Sequence, residues 1–374
     1  MKFTAIQTVI LLIIFLILGY KIKNKTSCLK KYYIPAPLIG GLIFAIILLI
    51  ANRFTKVDGD FSLTPIFVAG FFGTIGLRIN KDAFKKGFKP QMIFLFFSSL
   101  ILVIQNILSF SVGAILKKSH VESAILGSLG IGGDHTLLST MPFLANDIKE
   151  KTDMLLGISV LMLYIGTIVA CILYAKLSEK IDLSKTLKIK EPTFNPMSFL
   201  KNLALIGITI FIGMLPTKFG FGKYINPAGG GFLVGLVFRL IIDETKVYEI
   251  EVPSINLLGN FCLSMLLVSN YAMFNLKSIL SLDFYSLILI ILNTIIIILI
   301  AYYVVFKVYK KNAMAAYVAA GYVGFNLGMP ASTMSTIQSI TEKDGAIPMV
   351  LFIVPPVGAW MVTVVNPFIM KLFF

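Results

Sequence analysis

Apolar runs of membrane-spanning length, set apart by short clusters of charge, are what most restrict the folds open to this chain. Stretches 4–20, 34–51, 91–116 and 284–305 reach or approach the length a helix needs to cross a bilayer, about 20 apolar residues. A helix with no polar face must be buried in protein or lipid. Too many such runs occur here for a water-soluble fold. Of the 374 residues, 57% are hydrophobic and only 14% charged, well below the usual charged fraction of soluble domains. The net charge of +15 does not imply a nucleic-acid partner, because the lysines gather where the positive-inside rule places them. Cys28, Cys171 and Cys262 are too widely spaced for a disulfide framework or metal site, and no cofactor is expected. Only Lys2 precedes the first apolar run, whereas Lys21, Lys23, Lys25, Lys30 and Lys31 follow it. That order disfavours a signal peptide and points the amino terminus outward.

Periodicity and charge punctuation predict spanning helices at 4–20, 34–51, 62–79, 91–116, 153–176, 199–215, 224–242, 254–274, 284–306 and 347–372. Two further segments, near 122–145 and 312–341, are apolar but interrupted by Gly, Pro, Ser, Thr and Asn. Irregular backbone at membrane depth survives only against protein or a watery cavity, so both are read as re-entrant hairpins. Both termini then lie outside, and cytoplasmic loops hold roughly two basic residues for each one outside. Lys31-Tyr32-Tyr33-Ile34-Pro35-Ala36 parallels Lys223-Tyr224-Ile225-Asn226-Pro227-Ala228. Likewise Gly127-Ser128-Leu129-Gly130 parallels Gly321-Tyr322-Val323-Gly324, and Ser139-Thr140-Met141 parallels Ser332-Thr333-Met334. The expected fold is an all-α polytopic membrane protein of two inverted five-helix repeats, each with a re-entrant hairpin loop. Residues 1–176 form the N-terminal repeat, 177–198 a cytoplasmic linker and 199–374 the inverted C-terminal repeat. Paired discontinuous segments of this kind are the mark of secondary transporters.

The candidate site lies in those segments. Gly132 and Gly133 allow backbone to approach a ligand, and Asp134, His135 and Thr136 follow directly. Ionisable groups at membrane depth are costly and usually functional, which makes Asp134 the candidate Na⁺ ligand. The competing reading is that Asp134 and His135 cap a short helix at a watery edge. In the second segment Asn326, Gly328, Ser332 and Thr333 surround Pro330, which is expected to end one half-helix or start the next. Helix packing is the alternative role for Ser332 and Thr333. Gln105, Asn106 and Asn366 complete the candidate substrate and ion set. Asn270 and Asn293 are expected to bond a neighbouring helix, and Arg78 and Arg239 to snorkel.

At these residues the chain resembles the bacterial sodium/glutamate symporter family. The likeness includes Leu29-Lys30-Lys31-Tyr32, Ile34-Pro35-Ala36-Pro37 with Gly40-Gly41, and Phe72 with Thr74-Ile75-Gly76-Leu77. It continues at Gln105-Asn106, Gly259-Asn260, Leu263-Ser264 and Gly321 to Gly328. It is densest from Gln338-Ser339-Ile340-Thr341-Glu342 to Gly345, then at Val354-Pro355, Val357-Gly358-Ala359 and Asn366. The resemblance implies Na⁺-driven glutamate uptake through two inverted five-helix domains with glycine-rich re-entrant loops. Three positions depart from the family pattern. Asp134 is added in Gly132-Gly133-Asp134-His135-Thr136, Asn326 replaces a glycine, and Thr363 stands where an acid is familiar. A Na⁺- or H⁺-coupled carrier of another small carboxylate therefore stays open, as does a passive channel or uniporter. An enzyme is not expected, since Asp134 and His135 lack a partner nucleophile. Expected partners are glutamate or a related small carboxylate, Na⁺ and membrane lipid, with a homodimer left open. The Ile-, Lys- and Asn-rich usage points to an AT-rich bacterial source, for which the cytoplasmic membrane is the expected location.

Overall fold

The computed structural model describes residues 2–373 apart from 134–140, 185, 188–194, 224, 249, 274–275 and 361–364, and these are helical with only isolated β-bridges. The N-terminal half contains α1 (Ala5–Lys25), α2 (Ala36–Ala51), α3 (Thr64–Arg78) and α4 (Lys81–Ile115). It continues with α5 (His120–Ala124), a π turn at Ile125–Leu129, α6 (Pro142–Ile148) and α7 (Thr152–Ser178). The C-terminal half contains α8 (Pro196–Lys218), α9 (Pro227–Thr245), α10 (Val252–Met273) and α11 (Phe284–Ile300, extended through a π turn to Val308). It ends with α12 (Ala313–Asp344), α13 (Pro348–Trp360) and α14 (Asn366–Met370).

Starts follow the polar residues before each apolar run. Thr4, Asn195, Asn226, Asp283 and Asn312 each accept a first-turn amide proton of the helix they cap. The fourth span begins at Lys81, ten residues earlier than expected, and carries Pro90 inside it. The expected span 347–372 is described as two pieces, α13 and α14. Among the described residues, six helices are long and apolar enough to cross a bilayer unaided, so the chain is a multi-pass membrane protein. Ile6, Ile10, Ile14 and Ile17 on α1 and Ile291, Ile295 and Leu299 on α11 form exposed stripes at helical spacing, faces suited to lipid.

Helix α3 lies inside, buried from Ala69 to Leu77, and glycine explains how. At Gly76 of α3 a Cβ would meet backbone of α9, including Leu236 N at 2.6 Å and Gly235 C at 2.9 Å. Gly235 meets Gly73 from the other side, and Gly213 of α8 meets Gly231 of α9. Backbones in such contact exclude any larger residue. Gly76→Ala should destabilise the protein by about 1–3 kcal/mol, the cost of overpacking a filled contact, measured by equilibrium unfolding in detergent. Unchanged stability would show that α3 and α9 can part freely.

Packing sorts the helices into two bundles that cut across the sequence halves. One gathers α1, α2, α3, α8, α9 and α10, and the other α4 to α7 with α11 to α14. Contacts between bundles are sparse, chiefly α12 with α10 and α2, and α13 with α9. Within the second bundle Lys118 Nζ lies 2.8 Å from Asp283 Oδ2, joining the end of α4 to the start of α11. Burial acts to raise the Asp283 carboxyl, but Lys118 and the Ser286 hydroxyl and amide outweigh it and hold it down to about 2. This tie is therefore complete above the ordinary carboxylate range and is lost only as pH falls through about 2.

Candidate functional site

Both interrupted segments close at their mouths. Lys151 Nζ lies 3.0 Å from Glu122 Oε1, so the first segment ends beside its start. Its inward arm breaks at Gly127, where φ −91° and ψ −145° depart from the helix. The break frees the Ser128 amide, which donates to Asn106 Oδ1 at 2.8 Å. Ser128 Oγ donates to Asn366 Oδ1 at 2.6 Å, and Asn366 Nδ2 returns a bond to the Ser128 carbonyl at 2.9 Å. Gly132 and Gly133 follow, both buried. A Cβ at Gly132 would sit 2.9 Å from Gln105 Oε1, so glycine lets the loop lie against that amide. Asp134, His135 and Thr136, with Ser139 and Thr140, lie outside the described residues.

The second segment is helical over Ala313–Asp344, with Pro330 inside it. It is nevertheless no straight rod. Thr333 Oγ1 donates to the Gly321 carbonyl at 2.9 Å, whereas residues this far apart would be separated by about 18 Å along a straight helix. A Cβ on Gly324 would lie 3.0 Å from Thr333 Cα. The chain therefore doubles back between Gly324 and Thr333, and Tyr317 Oη closes the mouth on the Gly345 carbonyl at 2.6 Å. The two G-x-x-G motifs are not equivalent in place. Gly127 marks the break in the first segment, while Gly321 and Gly324 lie on an arm of the second and give room for the returning arm.

Helix α4 bonds to both segments. Gln105 and Asn106 are neighbours on α4, and successive helix positions point about 100° apart. Asn106 reaches Ser128, and Gln105 Nε2 donates to the Asn326 carbonyl at 2.9 Å. Sequence explains the second bond. The residue four places beyond Asn326 is Pro330, which has no N–H, so the Asn326 carbonyl lacks its helical donor and Gln105 supplies one. Gln105, Asn106 and Asn326 are fully buried. Gln105 Oε1, Asn106 Nδ2 and Asn326 Oδ1 have no partner among the described residues. Orphaned buried polar atoms cost about 1–3 kcal/mol each, and here they gather where the two segments meet. Two carbonyl oxygens suit Na⁺, and an amide N–H suits a carboxylate.

The other candidates take protein partners. Asn326 Nδ2 bonds the Tyr322 carbonyl, and Ser332 Oγ donates to Leu163 O on α7 at 2.8 Å. The Ser332 and Thr333 protons are thus committed, leaving lone pairs. Gly328 packs against Met162 and Gly166 of α7. Asn293 bonds Leu289 on its own helix rather than a neighbouring one, because that carbonyl lies one turn back. Arg78 does not snorkel. It turns back to Thr74 O at 2.9 Å and to Asn256 Oδ1 at 2.9 Å, acceptors that spare it a longer reach to water. Arg239 pairs with Asp243 one turn away. Sequence reading missed Ser128 as a tip contact, though its polarity mid-segment was a signal. It also missed Tyr20 and Lys23 meeting Glu342, for which local sequence carries no signal. Among the described residues no cluster of His, Cys, Asp or Glu could hold a metal ion.

Comparison with known proteins bears on this arrangement. Residues 1–346 match the family model described as sodium/glutamate symporter. The chain is 27% identical over 377 residues to the sodium/glutamate symporter of Escherichia coli (strain K12), covering 96% of this chain and 94% of the relative. The symporter of Shigella flexneri gives the same figures. That of Haemophilus influenzae is 25% identical over 394 residues, covering 100% and 97%.

Proposed function

The chain belongs to the sodium/glutamate symporter family, and on that premise we propose that it carries glutamate across a bacterial cytoplasmic membrane by Na⁺-coupled symport. The observation that carries the site is the Gln105–Asn106 pair, which joins two doubled-back segments and leaves three amide atoms without partners. In this reading the segments are re-entrant, entering from opposite faces, and their tips with Asp134 hold Na⁺ and the substrate. The family is one of transporters rather than enzymes.

Inverted repeats find support in exchanged partners. The α2–α10 contact corresponds to α9–α3, α1–α2 to α8–α9, and α1–α10 to α8–α3. The first segment is tied to α14 through Asn366, and the second to α7 through Leu163. Each hairpin thus leans on the last helix of the other repeat. The hairpin-bearing bundle would slide against the other as the site changes sides, with both termini outside.

Proteoliposomes loaded with K⁺ and diluted into Na⁺ should accumulate labelled glutamate, and lose it when Na⁺ is replaced outside. Uptake indifferent to Na⁺ for every amino acid and dicarboxylate tried would remove the reading and leave a passive carrier. The departures of the sequence at Asp134 and Thr363 favour a shifted ion or substrate preference as the second reading. It would appear as stronger Na⁺-dependent thermal stabilisation by another carboxylate than by glutamate.

A further inference from the structure

A cavity of about 410 Å³ opens between the two bundles, within the range of small-molecule sites. Arg78, Asn260 and Ser264 line it from α3 and α10, and Gln338, Thr341 and Glu342 from the returning arm of α12. Three stretches that carry the family resemblance, and that the hairpin site does not use, meet on this one space.

Its electrostatics are unbalanced. Arg78 is bonded only to neutral oxygens, Thr74 O at 2.9 Å, Asn256 Oδ1 at 2.9 Å and Thr74 Oγ1 at 3.4 Å. A guanidinium has five N–H donors, so two remain. No carboxylate among the described residues pairs with Arg78. Glu342 lines the same cavity, but its charge is answered by Lys23 at 3.3 Å, with Tyr20 Oη donating to the other oxygen at 2.7 Å. A partly buried cation without a counter-charge inside a membrane bundle is unfavourable. An anion in the cavity would offset it, and arginine holds carboxylates with two parallel bonds. Asn260, Ser264 and Thr341 supply neutral donors around that point. A second cavity of about 560 Å³ adjoins at Tyr20 and Glu342 and is edged by Lys23, Lys30 and Lys343, so the approach is electropositive.

We propose that this cavity is a second, transient carboxylate site, anchored by Arg78, which holds a carboxylate of the amino-acid substrate between the hairpin tips and the face bearing Lys23 and Glu342. It rests on the symport reading and adds a residue outside the hairpins to the substrate path. Each bundle contributes one wall, so a sliding hairpin bundle takes Gln338 and Thr341 away from Arg78. The site exists in this arrangement and is dismantled in the other.

The test uses the full chain reconstituted in both orientations. Na⁺-dependent glutamate flux by the unaltered protein comes first, and its absence would overturn the symport reading itself. With that flux present, Arg78→Gln should raise the apparent KM for glutamate at the face bearing Lys23 and Glu342 at least about tenfold, the loss of a charged hydrogen bond. KM at the opposite face, and Na⁺-dependent thermal stabilisation of the purified protein by glutamate, should stay within about twofold. Arg78→Lys should recover part of the loss. Equal KM changes at both faces, or none at either, would overturn the proposal. If Arg78→Gln does not purify, Thr341→Val leaves the Arg78 bonds in place and should give a one-sided rise of about threefold; a symmetric or absent effect there also overturns it. Replacing chloride by a bulky sulfonate should leave KM unchanged, and a chloride-dependent KM would assign the cavity to inorganic anions instead.

Discussion

Gln105→Leu is expected to give a protein that inserts and purifies yet binds glutamate and Na⁺ about 5- to 150-fold more weakly. That range is the affinity equivalent of about 1–3 kcal/mol, the cost of leaving one buried acceptor without its donor. The acceptor is the Asn326 carbonyl, which Pro330 cannot serve and Gln105 Nε2 does at 2.9 Å. Leucine fills the same volume and favours the helix as well as glutamine does, so α4 should persist. What fails is the position of the second tip relative to the first, because Gly132 also lies against the Gln105 amide. Gln105→Glu separates two roles, as it keeps an oxygen beside Gly132 but removes the N–H. A positioning role through Asn326 predicts that both variants weaken binding alike. A role of Oε1 as an ion ligand predicts that glutamate at this position retains Na⁺ affinity better than leucine does. Thermal stabilisation by glutamate in Na⁺ and in K⁺ reads both. An unaltered midpoint in the leucine variant would place the binding site elsewhere.

Much of the fold was legible because lipid imposes a length on each apolar run and charge marks where it ends. Lys21 to Lys31 around the end of α1 and Lys307 to Lys311 around the end of α11 punctuate the chain. Ends were less legible. Lys81 begins α4 because a helix can run past the apolar window into charged residues, which hydropathy does not register. Gln105, Asn106, Asn326 and Asn366 were visible as amides in apolar surroundings, and the structure brings them together. Their individual roles were not visible, since these depend on partners such as Ser128 and Asn366, 238 positions apart. Arg78 was misread for the same reason. Nothing in 64–78 reveals that Asn256 waits beside it. The segment 177–198 reads only as a cytoplasmic linker, yet Leu187 exchanges backbone bonds with Ala346 at 2.9 and 2.8 Å, beside Gly345 with φ +98°. A clip of two residues has no periodicity to betray it.

Covalently joining the bundles should abolish transport altogether. Glycine-mediated backbone packing, as at Gly76, ties α3 to α9 inside one bundle, while the large buried apolar core runs through both. Across the boundary on the side of Lys23, polar contacts stand beside an edge-on pairing of the Tyr33 and Tyr174 rings at 4.9 Å. Lys23 meets Glu342 at 3.3 Å, Gln338 Nε2 meets Ser264 Oγ at 2.8 Å, and Tyr33 Oη meets Asp344 Oδ2 at 2.9 Å. The partly exposed ion pair contributes only about 0–1 kcal/mol and a hydrogen bond typically about 0.5–1.5 kcal/mol, so these polar ties hold one arrangement without locking it. Lys23→Cys with Glu342→Cys replaces one of them by two thiols. Cys28 is exposed and should be changed to Ser, whereas Cys171 and Cys262 are buried and can stay. A short, reducible bis-thiosulfonate bridge is expected to bring Na⁺-driven glutamate uptake to background, with recovery on reduction. Neither single variant treated with the same reagent should lose more than about half its rate, since the lost ion pair is weak. The bridged protein should still bind glutamate from the face that this arrangement leaves open, which separates arrested movement from a damaged site. Full uptake with the bridge demonstrably closed would mean that α12 and α1 never part during the cycle, and the two-bundle mechanism would then have to be abandoned.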